Sequence, residues 1–188
     1  MKQTEITEEE FARLASEVGE WGEANFGTTT PENANDPALG FLEEIGELTH
    51  AILKKRQGIR GTPEEHDAAA RDALGDMGIF LLHLWYRKTK LEPESIPNTL
   101  VFFESLSASE ETPEALQSAL ATLAHKAGTL LDDEEWWFPD SYSEAAQSSS
   151  FVAYLLGVDF WPQVRDTWEK IVSKRNWKAN PQGTPDPA

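Results

Sequence analysis

Residues 39 to 58 read LGFLEEIGELTHAILKKRQG, and the folding of this stretch decides the architecture around it. Phe41, Ile45, Leu48 and Ile52 recur at steps of three and four, the spacing of one helix face. Asp36 with Pro37 suits the first turn, where the missing proline N–H costs nothing, and QGIRGTP at 57 to 63 ends the pattern. A helix is therefore predicted from about Pro37 to Arg56. Its acids are the unusual feature. At about 100° per residue, Glu44 and Glu47 lie about 60° apart, and Glu43 and Glu47 about 40° apart. All three carboxylates leave the helix from one edge, at the rim of the apolar stripe.

The next segment repeats the arrangement. Pro63, Glu64 and Glu65 open a helix running to about Lys90, with a stripe of Ala70, Leu74, Met77, Gly78, Leu81, Leu82 and Trp85. Asp72 and Asp76 stand four residues apart and flank Leu74 and Met77. Upstream, Thr7 followed by Glu8 to Glu10 resembles a capped helix start, and Phe11, Leu14, Ala15, Val18, Trp21 and Gly22 carry the helical period as far as NFG at 25 to 27. TTTPENANDP at 28 to 37 is a turn-rich connection.

Downstream the expectations are a short helix over 97–107, an amphipathic helix over 113–131, a loop DDEEWWFPDSY over 132–142, a helix over 143–157, and a last helix from Phe160 to about Lys174. Residues 179–188 read as a disordered tail. No segment shows sustained strand alternation, and there is no clean internal repeat. The predicted class is all-α: one domain over 1–188 of about six helices, with core helices at about 7–90 and 158–178 and a helical insertion at about 94–157.

A chain of 188 residues, 39% aliphatic and aromatic with seven tryptophans, can bury a substantial core. Its net charge of −17 opposes attraction to nucleic acid backbones and anionic membranes, so neither is an expected partner. Cysteine is absent, which removes disulfides, thiolate metal sites and a cysteine nucleophile. No signal peptide is visible at the N-terminus, and the longest apolar run, IFLLHLWY at 79–86, is too short to span a bilayer. The expectation is a soluble, cytoplasmic protein.

If the two acidic helices pack antiparallel through the short link, four or five carboxylates meet in one crevice. They would raise one another's pKa unless cations were present, and all-oxygen ligation favours Mg²⁺ or Mn²⁺ over zinc. The alternative reading makes them solvated positions beside a core stripe. A di-iron bundle would need a second Glu-x-x-His pair besides Glu47 and His50, and none of His66, His83 or His125 supplies it. His83 shares a face with Asp76, although a satisfied core or rim histidine is the commoner case.

EEIGEL on one helix, a short basic and glycine-containing link, and RDALGDM opening the next resemble the MazG-like all-α nucleoside triphosphate pyrophosphohydrolases, a group related to the dimeric dUTPase-like enzymes. The resemblance is best over about residues 15 to 90 and returns in GVDFWPQVRDTWEKIVSKRNWKANP. It implies Mg²⁺-dependent hydrolysis of a nucleoside triphosphate between the α and β phosphates, to monophosphate and pyrophosphate, in nucleotide-pool house-cleaning. It also implies metal ligation by Glu44, Glu47 and Asp76. A further family glutamate falls on Ala73 here, and Asp72 is its candidate substitute. Glu43 is the candidate to orient or deprotonate the attacking water. Lys54, two turns beyond Glu47, and Lys174, Arg175 and Lys178 are candidates for gripping phosphate, the latter three being equally readable as a basic helix end. Trp21 and Asn25 are candidates for contacting the base, with a core role as the alternative. A homodimer is the usual assembly in the resembled family. The competing class is a non-catalytic acidic helical binding protein with a degenerate metal site, engaging a partner through Trp136 and Trp137; the alanine at 73 and the long insertion keep it open.

Overall fold

The computed structural model describes residues 3–93, 112–131 and 138–179. These residues form six α-helices and no strand: α1 Glu8–Phe26, α2 Asp36–Gln57, α3 Pro63–Leu91, α4 Pro113–Thr129, α5 Phe138–Leu155 and α6 Phe160–Lys170. Local chemistry sets several of the ends. Thr7 Oγ1 accepts from the Glu10 N–H at 3.1 Å, satisfying one free amide of α1. At the start of α3 the Thr62 hydroxyl accepts from Glu65 N while the Glu65 carboxylate accepts from Thr62 N at 2.7 Å, a reciprocal cap. Gly58 ends α2 in the left-handed region, φ 64°, where a side chain would strain the backbone.

The organising element is α3, which packs against α1, α2, α5 and α6. The sequence predicts one apolar stripe on this helix; the structure buries it on nearly every side. Ala73, Leu74, Gly75, Met77, Gly78 and Ile79 are all buried, so only Asp76 interrupts the run. Close approach explains the glycines. A Cβ at Gly75 would lie 2.0 Å from Thr167 Oγ1, and one at Gly78 would lie 2.1 Å from Val164 Cγ2, so these two positions let α6 settle directly on the α3 backbone. Deeper along α3, Arg87 is 1% exposed and His83 is 4% exposed, and Arg87 Nε donates to His83 Nε2 at 2.9 Å. Arg87 Nη1 also donates to the Asn33 carbonyl, tying α3 to the 28–35 connection. His83 is thus a satisfied core histidine. Burial and the neighbouring Arg87 push it down to about 4, so it stays neutral and accepts.

Two boundaries differ from expectation. Phe138 to Tyr142, expected in a loop, lie in α5, because Pro139 falls in a first turn and Phe138, Tyr142, Ala145 and Ser149 recur on one buried face. Tyr142 and Phe138 reach the Trp85 ring at 5.0 and 6.2 Å between centroids, which pins α5 to α3. The last helix stops at Lys170 and is followed by a separate 3-10 turn, Val172–Lys174. The expected helix over 97–107, the partner-binding candidates Trp136 and Trp137, and tail residues 180–188 lie outside the described residues. No described helix is long and apolar enough to cross a membrane.

Candidate metal centre between α2 and α3

The link of residues 58–62 turns the chain back on itself, and α2 and α3 run antiparallel. Lys55 pairs with Asp67 near the turn at 2.7 Å, whereas Gly40 at the far end meets the Phe80 ring, with a Cβ there only 2.2 Å from Phe80 Cε1. Between these anchors the acids face one another, in two tiers.

Glu44 and Asp76 form the inner tier, both half-buried. Burial pushes Glu44 up from its ordinary 4.5 to about 8, assisted by repulsion from Asp76 first and then from Glu47, Glu43 and Asp72. Burial likewise pushes Asp76 up from 3.8 to about 6, with Asp72 and Glu47 adding to it and Arg175 opposing. Among the described residues neither inner carboxylate has a hydrogen bond or a salt bridge. Two acids are therefore held where their charged forms are disfavoured, beside a single opposing arginine.

The outer tier is an open groove of about 550 Å³, lined by Glu43, Glu47, His50, Arg60, His66 and Asp72. Glu43, Glu47 and Asp72 are exposed. Among the described residues no three His, Asp or Glu side chains converge on one point as a ready-made metal cage. Ala73, on the same seam, is 2% exposed, belongs to the apolar core and offers no ligand.

The C-terminal segment reaches this site. Trp21 Nε1 donates to the Arg175 carbonyl at 2.9 Å, and Asn25 Oδ1 accepts from Trp177 N at 2.7 Å while its amide donates to the Trp21 carbonyl. Trp177 lies under the Arg175 guanidinium, 5.9 Å from the ring centroid. The polar groups of Trp21 and Asn25, the sequence candidates for base recognition, are thus spent on clamping the segment that carries Arg175. Of the basic candidates, Arg175 bears on Asp76; Lys174 and Lys178 are exposed on the same segment. Lys54 is half-buried and donates to Gln57 Oε1 at 3.1 Å, outside the groove lining.

Nothing in helical spacing marks Arg60 and His66 as site residues, yet both line the groove. The available signal was an arginine set between Gly58 and Gly61 in the turn facing the acids.

No protein-family model, curated protein or solved structure matches the chain.

Proposed function

We propose that the chain is a Mg²⁺-dependent nucleoside triphosphate pyrophosphohydrolase, converting a (deoxy)nucleoside triphosphate and water to the monophosphate and pyrophosphate. The observation that carries this reading is the inner pair, Glu44 and Asp76, two half-buried carboxylates facing each other without a salt bridge or hydrogen bond among the described residues. A half-buried acid pair must either take up protons or be joined by something cationic. The donor set fits Mg²⁺: all oxygen, and few enough to leave coordination positions for water and phosphate, as this ion prefers. Mn²⁺ suits the same donors. Lack of a closed cage is compatible with that preference, since phosphate oxygens would complete the shell.

Glu44, Glu47 and Asp76 would hold the ion, with Asp72 reaching in from the groove edge. When bound, Mg²⁺ would polarise the phosphate and offset the charge that gathers on its oxygens. Glu43 lies on the groove wall and is exposed, so it can meet a water there and take its proton as the water oxygen attacks. Arg175 would offset phosphate charge once the ion has neutralised Asp76. Trp21 and Asn25 hold the Arg175 segment in place.

The homodimer belongs to the same proposal. Leu39, Gly46 and Leu53 recur on one outer face of α2, with Leu39 57% and Leu53 45% exposed, and a Cβ at Gly46 would meet nothing within 4 Å. A second copy of the same face would cover this stripe.

One observation favours the other class. With apolar Ala73 at the seam, the inner tier has lost a ligand position, as expected of a chain that kept the fold and bound a partner instead. Pyrophosphate release from a panel of ribo- and deoxynucleoside triphosphates, with and without Mg²⁺ or Mn²⁺, separates the two. Metal-dependent monophosphate and pyrophosphate, abolished by Glu47→Gln, is the expected result. A folded protein that turns over no nucleotide refutes the enzyme and leaves the binding protein.

A further inference from the structure

The α2–α3 turn holds Arg60 in a conformation that side chains rarely adopt. Its φ is 62°, and among the described residues it alone is a non-glycine with positive φ. Such a residue persists where its surroundings over-determine it, and frequently where a site needs the side chain in one place. Here the surroundings are explicit. Gly58 N bonds back to Lys55 O at 3.2 Å and Ile59 N to Lys54 O at 3.3 Å, fixing the near end of the turn. The reciprocal cap of Thr62 and Glu65 fixes the far end. Beneath the turn, His66 is 8% exposed, and its Nε2 donates to the Ile59 carbonyl at 3.1 Å. A Cβ at Gly61 would come within 3.3 Å of the His66 ring and 2.9 Å of Glu65 Oε2, so the turn sits directly on these side chains.

The guanidinium thus presented has no hydrogen bond or salt bridge among the described residues, although the chain carries 33 acids. It lines the groove that Glu43, Glu47 and Asp72 line, and His50 and His66 complete the wall. An unpaired arginine on a braced turn, sharing a cavity with metal-type carboxylates, is arranged for an anion that arrives with a cation. Planar guanidinium donors match phosphate oxygens in particular.

We propose that Arg60 binds the terminal phosphates of the nucleotide and retains the pyrophosphate as it departs. This rests on the pyrophosphohydrolase reading. In that reaction the water oxygen bonds to the α phosphorus, and Glu43 takes the water proton. The α–β anhydride bond breaks, and its bridging oxygen leaves with the electron pair on pyrophosphate. The charge therefore builds on the group that Arg60 would hold, whereas the monophosphate would not touch it.

The test compares wild type with Arg60→Ala, Arg60→Lys and Arg60→Gly. Glycine accepts a φ of 62° and removes the side chain without straining the turn, so it guards against misfolding. Product inhibition of turnover by pyrophosphate should weaken about tenfold in the alanine and glycine variants, the loss expected for one charge-assisted phosphate contact. Lysine should recover part of it, and inhibition by the monophosphate should stay unchanged. Unaltered pyrophosphate inhibition in an active, folded Arg60→Gly protein overturns the assignment and leaves the hydrolase reading intact. Calorimetric titration with magnesium pyrophosphate gives a second readout that needs no turnover. Binding by wild type that Arg60→Gly loses, in a protein without hydrolysis, sustains the phosphate site and removes the hydrolase. Absence of binding by wild type overturns the site.

Discussion

Replacing Glu44 by glutamine should stabilise the metal-free protein at alkaline pH while impairing metal binding. Glu44 is held at about 8 in the folded chain against an ordinary 4.5, so the folded state binds this proton more tightly than the unfolded state does. A group raised in this way contributes fully below pH 4.5 and loses its contribution as pH climbs through about 8. Complete shielding would make the gap worth about 5 kcal/mol. Glu44 is only half-buried, and solvent screening brings the figure to about 2 kcal/mol. For a chain of this length that corresponds to roughly 4–8 °C in Tm. Thermal unfolding of wild type and Glu44→Gln, in chelator and across pH, reads the effect. The variant should melt higher above pH 8 and equally near pH 4.5, where a protonated glutamate resembles glutamine. Added Mg²⁺ should raise wild type and leave the variant nearly unmoved. A variant that melts at or below wild type above pH 8, or a gap that does not change with pH, would refute the claim that Glu44 is held against its own charge.

Between pH 6.5 and 4 the same curve carries a contribution from His83. Its pKa is depressed from 6.5 to about 4, so its contribution is complete above pH 6.5 and fades as pH falls through 4, by about 3 kcal/mol. Denaturant unfolding should show His83→Gln, which keeps an acceptor for Arg87, losing this limb; an unchanged acid limb sinks the assignment. In unfolding experiments Trp21→Phe should cost about 1 kcal/mol, as one lost hydrogen bond implies, and Asn25→Ala, which loses two, about 2 kcal/mol. Under the proposed reaction both should lower turnover with Mn²⁺ affinity preserved and base preference unaltered; a changed base preference would instead place these side chains on the substrate. Sedimentation should find wild type dimeric and Leu39→Glu/Leu53→Glu monomeric, and a wild-type monomer removes the dimer from the proposal.

The helices were legible because their signals are local. Thr7, Pro37 and Pro63 with its following glutamates act within one turn, and a stripe beside solvent gives a periodic contrast. The central place of α3 was not legible by that route, since its stretch from Ala73 to Ile79 is buried on nearly every side and offers little contrast to read; the signal lay in Gly75 and Gly78, whose purpose appears only with Thr167 and Val164 against them. In the site, helical angles placed Glu43, Glu44 and Glu47 on one edge. They could not divide that edge into a buried pair and an open groove, because the division depends on the register between α2 and α3. Nor could they show that Trp21 and Asn25 spend their polar groups on residues 175–177, more than 150 positions away in sequence.

Ala73 and Arg175 are best understood together. A glutamate at 73, one turn before Asp76, would add a further negative charge to the seam and raise Glu44 and Asp76 beyond their present positions. The chain has an apolar residue there, and Arg175, delivered by the α1 clamp, draws Asp76 down. Both features reduce the positive charge that the inner tier demands. Under the proposed reading one divalent ion is then enough to neutralise Glu44 and Asp76, and any further ion has to be carried in by the nucleotide. Equilibrium titration with Mn²⁺ should accordingly give one ion per chain without nucleotide. Two ions bound in its absence would mean that Asp72 and the groove acids hold a second ion unaided, supplying what a glutamate at 73 would have supplied.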